Sequence, residues 1–195
     1  SNRLKLNPDK TEIMWCSSAR RAGTLHQPAL SVGQSVITST TAVRNLGVML
    51  RSDLSMNDQI SAVVRSCYYN IRQLRAIRSS LTREALCDAA YALILSRLDY
   101  CNALYVNLPA TSVHRLQMII NTAARVISGR SRFSHITDFI KDDLHWSPVL
   151  QRVKFEIATM AYKSQHKLAP NYIAELITPS QTQLQGHRSS SRSTM

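Results

Sequence analysis

Apolar residues change their spacing at about residue 55. Behind that point Ile60, Val63, Val64, Cys67, Ile71 and Leu74 recur every three or four positions, the repeat of an amphipathic helix over about 56–78. Ser55 followed by Asp58 reads as a capping box with Asp in place of the usual Glu. Thr82 opens a second helix whose inner stripe is Leu86, Ala89, Ala90, Leu93, Ile94 and Leu98. A third spans about 110–128 on Val113, Leu116, Ile120, Ala123 and Ile127, and Gly129 stops it. His135 to Asp143 forms a short fourth. Ser147-Pro148 starts a fifth carrying Leu150, Val153, Ile157, Met160 and Ser164 on one face. Ala169-Pro170 ends it before a last short helix to about Ile177.

Ahead of residue 55 the pattern favours strands and turns. Thr11 to Cys16 mixes β-branched and aromatic residues behind the turn signal Asn7-Pro8-Asp9. Arg20 to Pro28 reads as a polar loop. Leu30-Ser-Val32 and Ser35-Val-Ile-Thr38 flank Gly33-Gln34, a two-residue hairpin turn. Val43 to Leu50 is a third strand candidate. The predicted fold class is therefore α+β, mostly α: a small N-terminal antiparallel β piece over 1–54, then a helical bundle over 55–177. Residues 178–195 form a Ser/Gln/Arg-rich tail expected to be disordered.

Composition adds a partner class. In 195 residues there are 24 Lys and Arg against 12 Asp and Glu, a net charge of +12, so the partner is anionic, either a phosphate backbone or an acidic membrane face. Hydrophobic residues make up 44%, enough for a core and too many for wholesale disorder. No stretch approaches the roughly 18 apolar residues of a membrane span. Cys16, Cys67, Cys87 and Cys101 form no C-x-x-C pair, which predicts reduced, buried thiols in a nuclear or cytoplasmic protein. No histidine or cysteine spacing suits a metal. Asp142-Asp143 points its carboxylates about 100° apart on a helix, so the two cannot share an ion. Asp99 beside Arg97 reads as an ion pair or cap.

The positive surplus is spread over both parts. Arg65, Arg72, Arg75 and Arg78 lie mostly off the first helical stripe, with Tyr68 and Tyr69 among them. Guanidinium groups grip phosphate and aromatic rings stack on bases, so the face suits a nucleic acid; a solvated helix face with arginine stems over the core edge is the competing reading. Arg125, Arg130 and Arg132 make a second cluster behind the third helix. The residues taken alone show no catalytic constellation.

Certain strings carry a resemblance. Leu6-Asn-Pro-Asp-Lys-Thr-Glu-Ile-Met14, Asn45-Leu-Gly-Val-Met-Leu50 and Ser52-Asp-Leu-Ser55 look like late palm motifs of reverse transcriptases. Ser96-Arg-Leu-Asp-Tyr-Cys-Asn-Ala-Leu-Tyr105, Leu108-Pro109, Asn121-Thr-Ala-Ala-Arg-Val-Ile127, His135-Ile-Thr137, Leu144-His-Trp-Ser-Pro-Val149 and Leu168-Ala-Pro-Asn-Tyr172 resemble the C-terminal half of non-LTR (LINE-type) retrotransposon polymerases, over roughly residues 2–178. One such string is weak evidence, whereas the ordered set is specific.

The resemblance implies that 1–54 is the end of a palm and 55–177 a thumb. It implies that Lys10 stands near the incoming nucleotide as proton donor to the pyrophosphate leaving group. Leu46, Gly47 and Val48 would form the primer grip, a tight hairpin. Arg65, Arg72, Arg75 and Arg78, with Arg125, Arg130 and Arg132, would contact an RNA/DNA template–primer duplex. The family's magnesium is held by aspartates of two earlier palm motifs that would lie before Ser1, so this chain is expected to bind no cofactor and, alone, not to extend a primer. Its partners would be the duplex and the upstream fingers and palm of the same polyprotein, not a membrane. A free-standing basic nucleic-acid-binding helical domain derived from such an element, without catalysis, is the alternative.

Overall fold

The computed structural model describes residues 7–177 except 18, 23, 25–27 and 34. The expected tail and Leu6 lie outside the described residues, as does Gln34 of the first hairpin turn. The chain divides into two compact units, Ser1–Glu156 and Ile157–Met195.

The first unit opens with a 3₁₀ turn at Pro8–Lys10 and a four-residue helix α1 (Ala19–Ala22), where a loop was expected. Strands β1 (Leu30–Val32) and β2 (Ser35–Ile37) pair antiparallel, Val32 opposite Ser35. Gly33 takes φ +63°, the left-handed value this turn needs. Thr11 to Cys16 is not a strand. Among the described residues of this segment only Ile13 forms a bridge, to Ser39, with Thr40 N donating to Ile13 O at 2.8 Å.

The single strand expected over 43–50 is instead a hairpin, β3 (Ala42–Asn45) and β4 (Val48–Arg51), with Asn45 opposite Val48. Leu46 and Gly47 at its tip have φ +46° and +86°, the two positive angles of a type I′ turn. That turn twists with the strands and so folds the segment back at Gly47.

Behind the hairpin stands α2 (Asn57–Ile77), continued by a 3₁₀ turn Arg78–Ser80. The expected capping box is absent. Met56 is the N-cap without a side-chain bond, and Asp58 is engaged by Arg51 at 3.0 Å. Ile60, Val63, Cys67, Ile71 and Leu74 are buried and Val64 half-buried, as the periodicity requires.

Thr82 caps α3 (Arg83–Ala90), its hydroxyl accepting from Ala85 N at 3.2 Å. The helix then passes through a π segment, Tyr91–Leu95, into α4 (Ser96–Asp99). The extra residue in that wide turn rotates the inner face. Ile94 and Leu95 are both fully buried, while Leu93, expected inside, is 42% exposed. The Leu93 carbonyl accepts from Asn70 Nδ2 at 2.7 Å, and the Ile94 carbonyl from Cys67 Sγ at 3.8 Å. Side chains of α2 therefore satisfy backbone groups at the bulge.

Helix α5 (Ala110–Ser128) runs parallel to α2: Arg115 bonds Ser61 at one end, and Arg78 lies against Gly129 at the other. Leu116, Ile119, Ile120, Ala123 and Ala124 are buried against α2 and the π-bulged helix. Gly129 ends α5 at φ +74°, its N–H bonding Arg125 O at 3.0 Å. A π segment at Phe139–Asp143 packs on α5 and leads to α6 (Val149–Gln165). At the start of α6 the stripe is displaced: Val149 and Val153 are buried, and Leu150 points outward.

In the second unit α6 continues to Gln165, with Ile157 and Met160 more than a third exposed and Ser164 Oγ bonding Met160 O at 2.9 Å. The chain then turns through Leu168 and Ala169, both donating to Lys163 O, into α7 (Asn171–Ala174) behind Pro170. Among the described residues no helix is long and apolar enough to cross a membrane.

Candidate nucleic-acid interface

The Asn-x-x-Lys-Thr string builds its own turn. Asn7 Oδ1 accepts from Asp9 N at 3.0 Å and Asn7 O accepts from Thr11 Oγ1 at 2.7 Å. Lys10 is left exposed on that turn, and no ion pair among the described residues involves it.

The β3–β4 tip is held from behind. Tyr100 Oη donates to Leu46 O at 2.5 Å, and Met49 N donates to buried Gln59 Oε1 at 3.0 Å. Val48 is buried against α2, whereas Leu46 is 82% exposed. Leucine is a poor choice for a positive φ, and its apolar side chain is presented outward. The three grip candidates thus separate into two tip residues, Leu46 and Gly47, and one anchor, Val48. At the root, Arg51 is raised above its ordinary range by the Asp58 bond, and Asp53 is lowered chiefly by the Ser55 backbone N–H.

Arg65, Arg72 and Arg75 are exposed and lie with Tyr69 within about a third of the circumference of α2, at 100° per residue. The Arg72 guanidinium stands 6.0 Å from the Tyr69 ring centre. None of these arginines has an acidic partner among the described residues. Arg78 is different. Its angular position is that of the buried stripe, so its side chain crosses to the end of α5 and rests on Gly129.

The second cluster gathers there. Arg125 Nη2 donates to Ser134 O at 3.4 Å and Arg130 Nη1 to His135 O at 3.2 Å. Arg83 and Arg130 both lie 5.3 Å from the ring centre of buried Phe139, and Arg132 lies 4.7 Å from that of Phe133. Arg83 pairs with Asp143 at 3.1 Å. The structure therefore sets Arg78 against the end of α5 at Gly129, turned about 120–140° around α2 from Arg72 and Arg65, with Arg75 about 60° away between them. Sequence reasoning missed Arg83 and Phe133. An aromatic flanked by arginines in a loop was the available signal for Phe133.

Several strings that carry the resemblance do structural work instead. Asp99 pairs with Arg152, both ends bonded, rather than with Arg97. Gln117 receives Val149 N at 3.0 Å and donates to Asn121 at 3.1 Å, which locks the start of α6 onto α5. Leu108, Asn121, Trp146 and Pro148 meet around one groove of about 950 Å³ at this junction.

Among the described residues no three of His, Cys, Asp or Glu converge as a metal site, and the Asp143 carboxylate is engaged by Arg83. Two of the four cysteines, Cys16 and Cys101, depart from the expected burial. Cys67 is buried and Cys87 half-buried, while Cys16 and Cys101 are exposed, because both lie on the rim of irregular segments.

No protein family, curated protein or solved structure matches this chain.

Proposed function

We propose that this chain is the palm end and thumb of a non-LTR retrotransposon reverse transcriptase, and that it binds the template–primer duplex for a catalytic centre supplied by upstream palm and fingers. The observation that carries the reading is the pairing of a tight, outward-facing Leu46-Gly47 hairpin with the helix it docks on, whose exposed side carries Arg65, Arg72 and Arg75 with no acidic partner among the described residues. A hairpin tip can seat a strand end while a helix beside it follows the backbone. Lys10 is the proton donor to pyrophosphate in this reading, on a turn whose downstream residues bond to the hairpin through Ser17 N and Ser52 O at 3.0 Å. The polymerase works inside the cell, in the reducing nucleus or cytoplasm.

A second reading is favoured by the core: the helical part, from Ile60 on α2 to Val153 on α6, buries one contiguous apolar cluster, as a free-standing nucleic-acid-binding domain needs.

The test is a titration of a fluorescent RNA–DNA primer–template at several salt concentrations. Affinity should fall steeply with salt. Replacing Arg65, Arg72 and Arg75 by Ala should flatten the log–log slope by about 2–3, near one for each phosphate no longer neutralised. Unchanged affinity and slope in the triple variant would remove the α2 face from the interface.

A further inference from the structure

Residues 131–134 form a closed turn beyond the end of α5. Ser134 N donates to Ser131 O at 3.2 Å, Phe133 N donates to Ser131 Oγ at 3.4 Å, and the hydroxyls of Ser131 and Ser134 lie 3.1 Å apart. These bonds leave Arg132 and Phe133 at the two corners. Phe133 is 83% exposed, and Arg132 covers one face of its ring at 4.7 Å. An exposed phenylalanine held out by a hydrogen-bonded turn has no role in the core. Arg125 bonds the turn at Ser134 O and Arg130 bonds the next residue at His135 O; Arg83, which shares the Phe139 ring with Arg130, pairs with Asp143.

We propose that this turn is a stacking platform for one unpaired base of single-stranded nucleic acid, with Arg130 and Arg132 holding the flanking phosphates. The chemistry is specific to a flat partner. The guanidinium on one side of the ring leaves the other side for a π-system, and every base has one. Planar arginine forks match phosphate oxygens in pairs, which lysines would not. An acidic lipid surface would also attract the charge, but sinking Phe133 among acyl chains would drag the Arg132 guanidinium in with it. In a duplex the bases are already stacked, so the platform has no partner there. The site therefore reads the strand ahead of or beside the duplex rather than the duplex itself. This inference rests on the nucleic-acid reading above, but assigns a different strand state to a different face.

The test compares a labelled 20-nucleotide RNA, an abasic strand of equal length and charge, and a blunt-ended RNA–DNA duplex without overhangs, all by anisotropy on the full chain. Phe133→Ala should weaken the RNA about tenfold and leave the abasic strand and the duplex unchanged. Phe133→Trp should restore the RNA affinity, and RNA should quench its added fluorescence. Circular dichroism of both variants should match the wild type, since the ring is outside the core.

Equal losses on RNA and abasic strand, or no loss on either, would overturn the platform. So would indole fluorescence of the Phe133→Trp variant that shifts blue on phosphatidylserine vesicles and does not respond to RNA. The two proposals fail separately. A null Phe133→Ala with duplex binding intact sinks the platform alone. A duplex affinity indifferent to Arg65, Arg72 and Arg75, with the Phe133 effect present, sinks the thumb face alone.

Discussion

Arginine, rather than lysine, carries the charge on both candidate faces, and the two faces use it differently. On α2 the side chains of Arg65, Arg72 and Arg75 are exposed, with no acid among the described residues to hold them. Beyond α5 they are tethered, by carbonyls at Ser134 and His135, by the Phe139 ring and by Asp143. A tethered guanidinium loses less side-chain freedom on meeting a phosphate. Cys67 shows what the interior does to a titrating group. Burial pushes its thiol up to about 11 from 9.0, with Arg97 pulling the other way. A raised folded pKa means the folded chain keeps a proton that the unfolded chain releases. The contribution is therefore intact below pH 9.0 and is lost as pH rises through about 11. Urea unfolding across that interval should show wild-type stability falling more steeply than that of Cys67→Ala; parallel profiles would contradict the assignment.

At the scale of elements, helices were legible because their cores repeat. Thr82, Gly129 and Ser147-Pro148 mark helix boundaries that the chain uses. What periodicity missed was every place where the helix is not α. The π segment at Tyr91–Leu95 turns Leu93 outward, and no local pattern reveals it, since the satisfying partners Asn70 and Cys67 come from another helix. Strands were harder. The hairpin at Leu46-Gly47 hides inside an apolar run, and Leu46 gives no turn signal. The resemblance pointed to it where composition did not. For the site, the arginines could be named from the sequence, but their grouping could not, because Arg78 belongs to one face by adjacency and to another by helical angle. Gly129 shows how one glycine serves both packing and charge. A Cβ there would be strained at φ +74° and would strike the Arg78 guanidinium, whose central carbon lies 2.9 Å away. Gly129→Ala should cost about 1–2 kcal/mol in urea unfolding. Adding Arg78→Ala should relieve the collision and leave the backbone strain, so the double variant should be no less stable than the single one; a further loss would contradict this account.

At the scale of the whole molecule, both arginine faces and the hairpin tip belong to the first compact unit, Ser1–Glu156. The hairpin tip offers an exposed apolar contact, the α2 face offers exposed cations, and the Arg132-Phe133 turn offers a ring. The strings behind the resemblance mostly build the frame between them, through Asp99–Arg152 and Gln117–Val149. The central claim is that the Leu46 tip receives a primer end. With Cys16 and Cys101 changed to Ser, Leu46→Cys carrying a benzophenone can be irradiated on a bound primer–template whose nucleotides are mapped afterwards. The account predicts crosslinks confined to the last few nucleotides at the primer 3′ end. Crosslinks spread along the template, or none while binding persists, would contradict it.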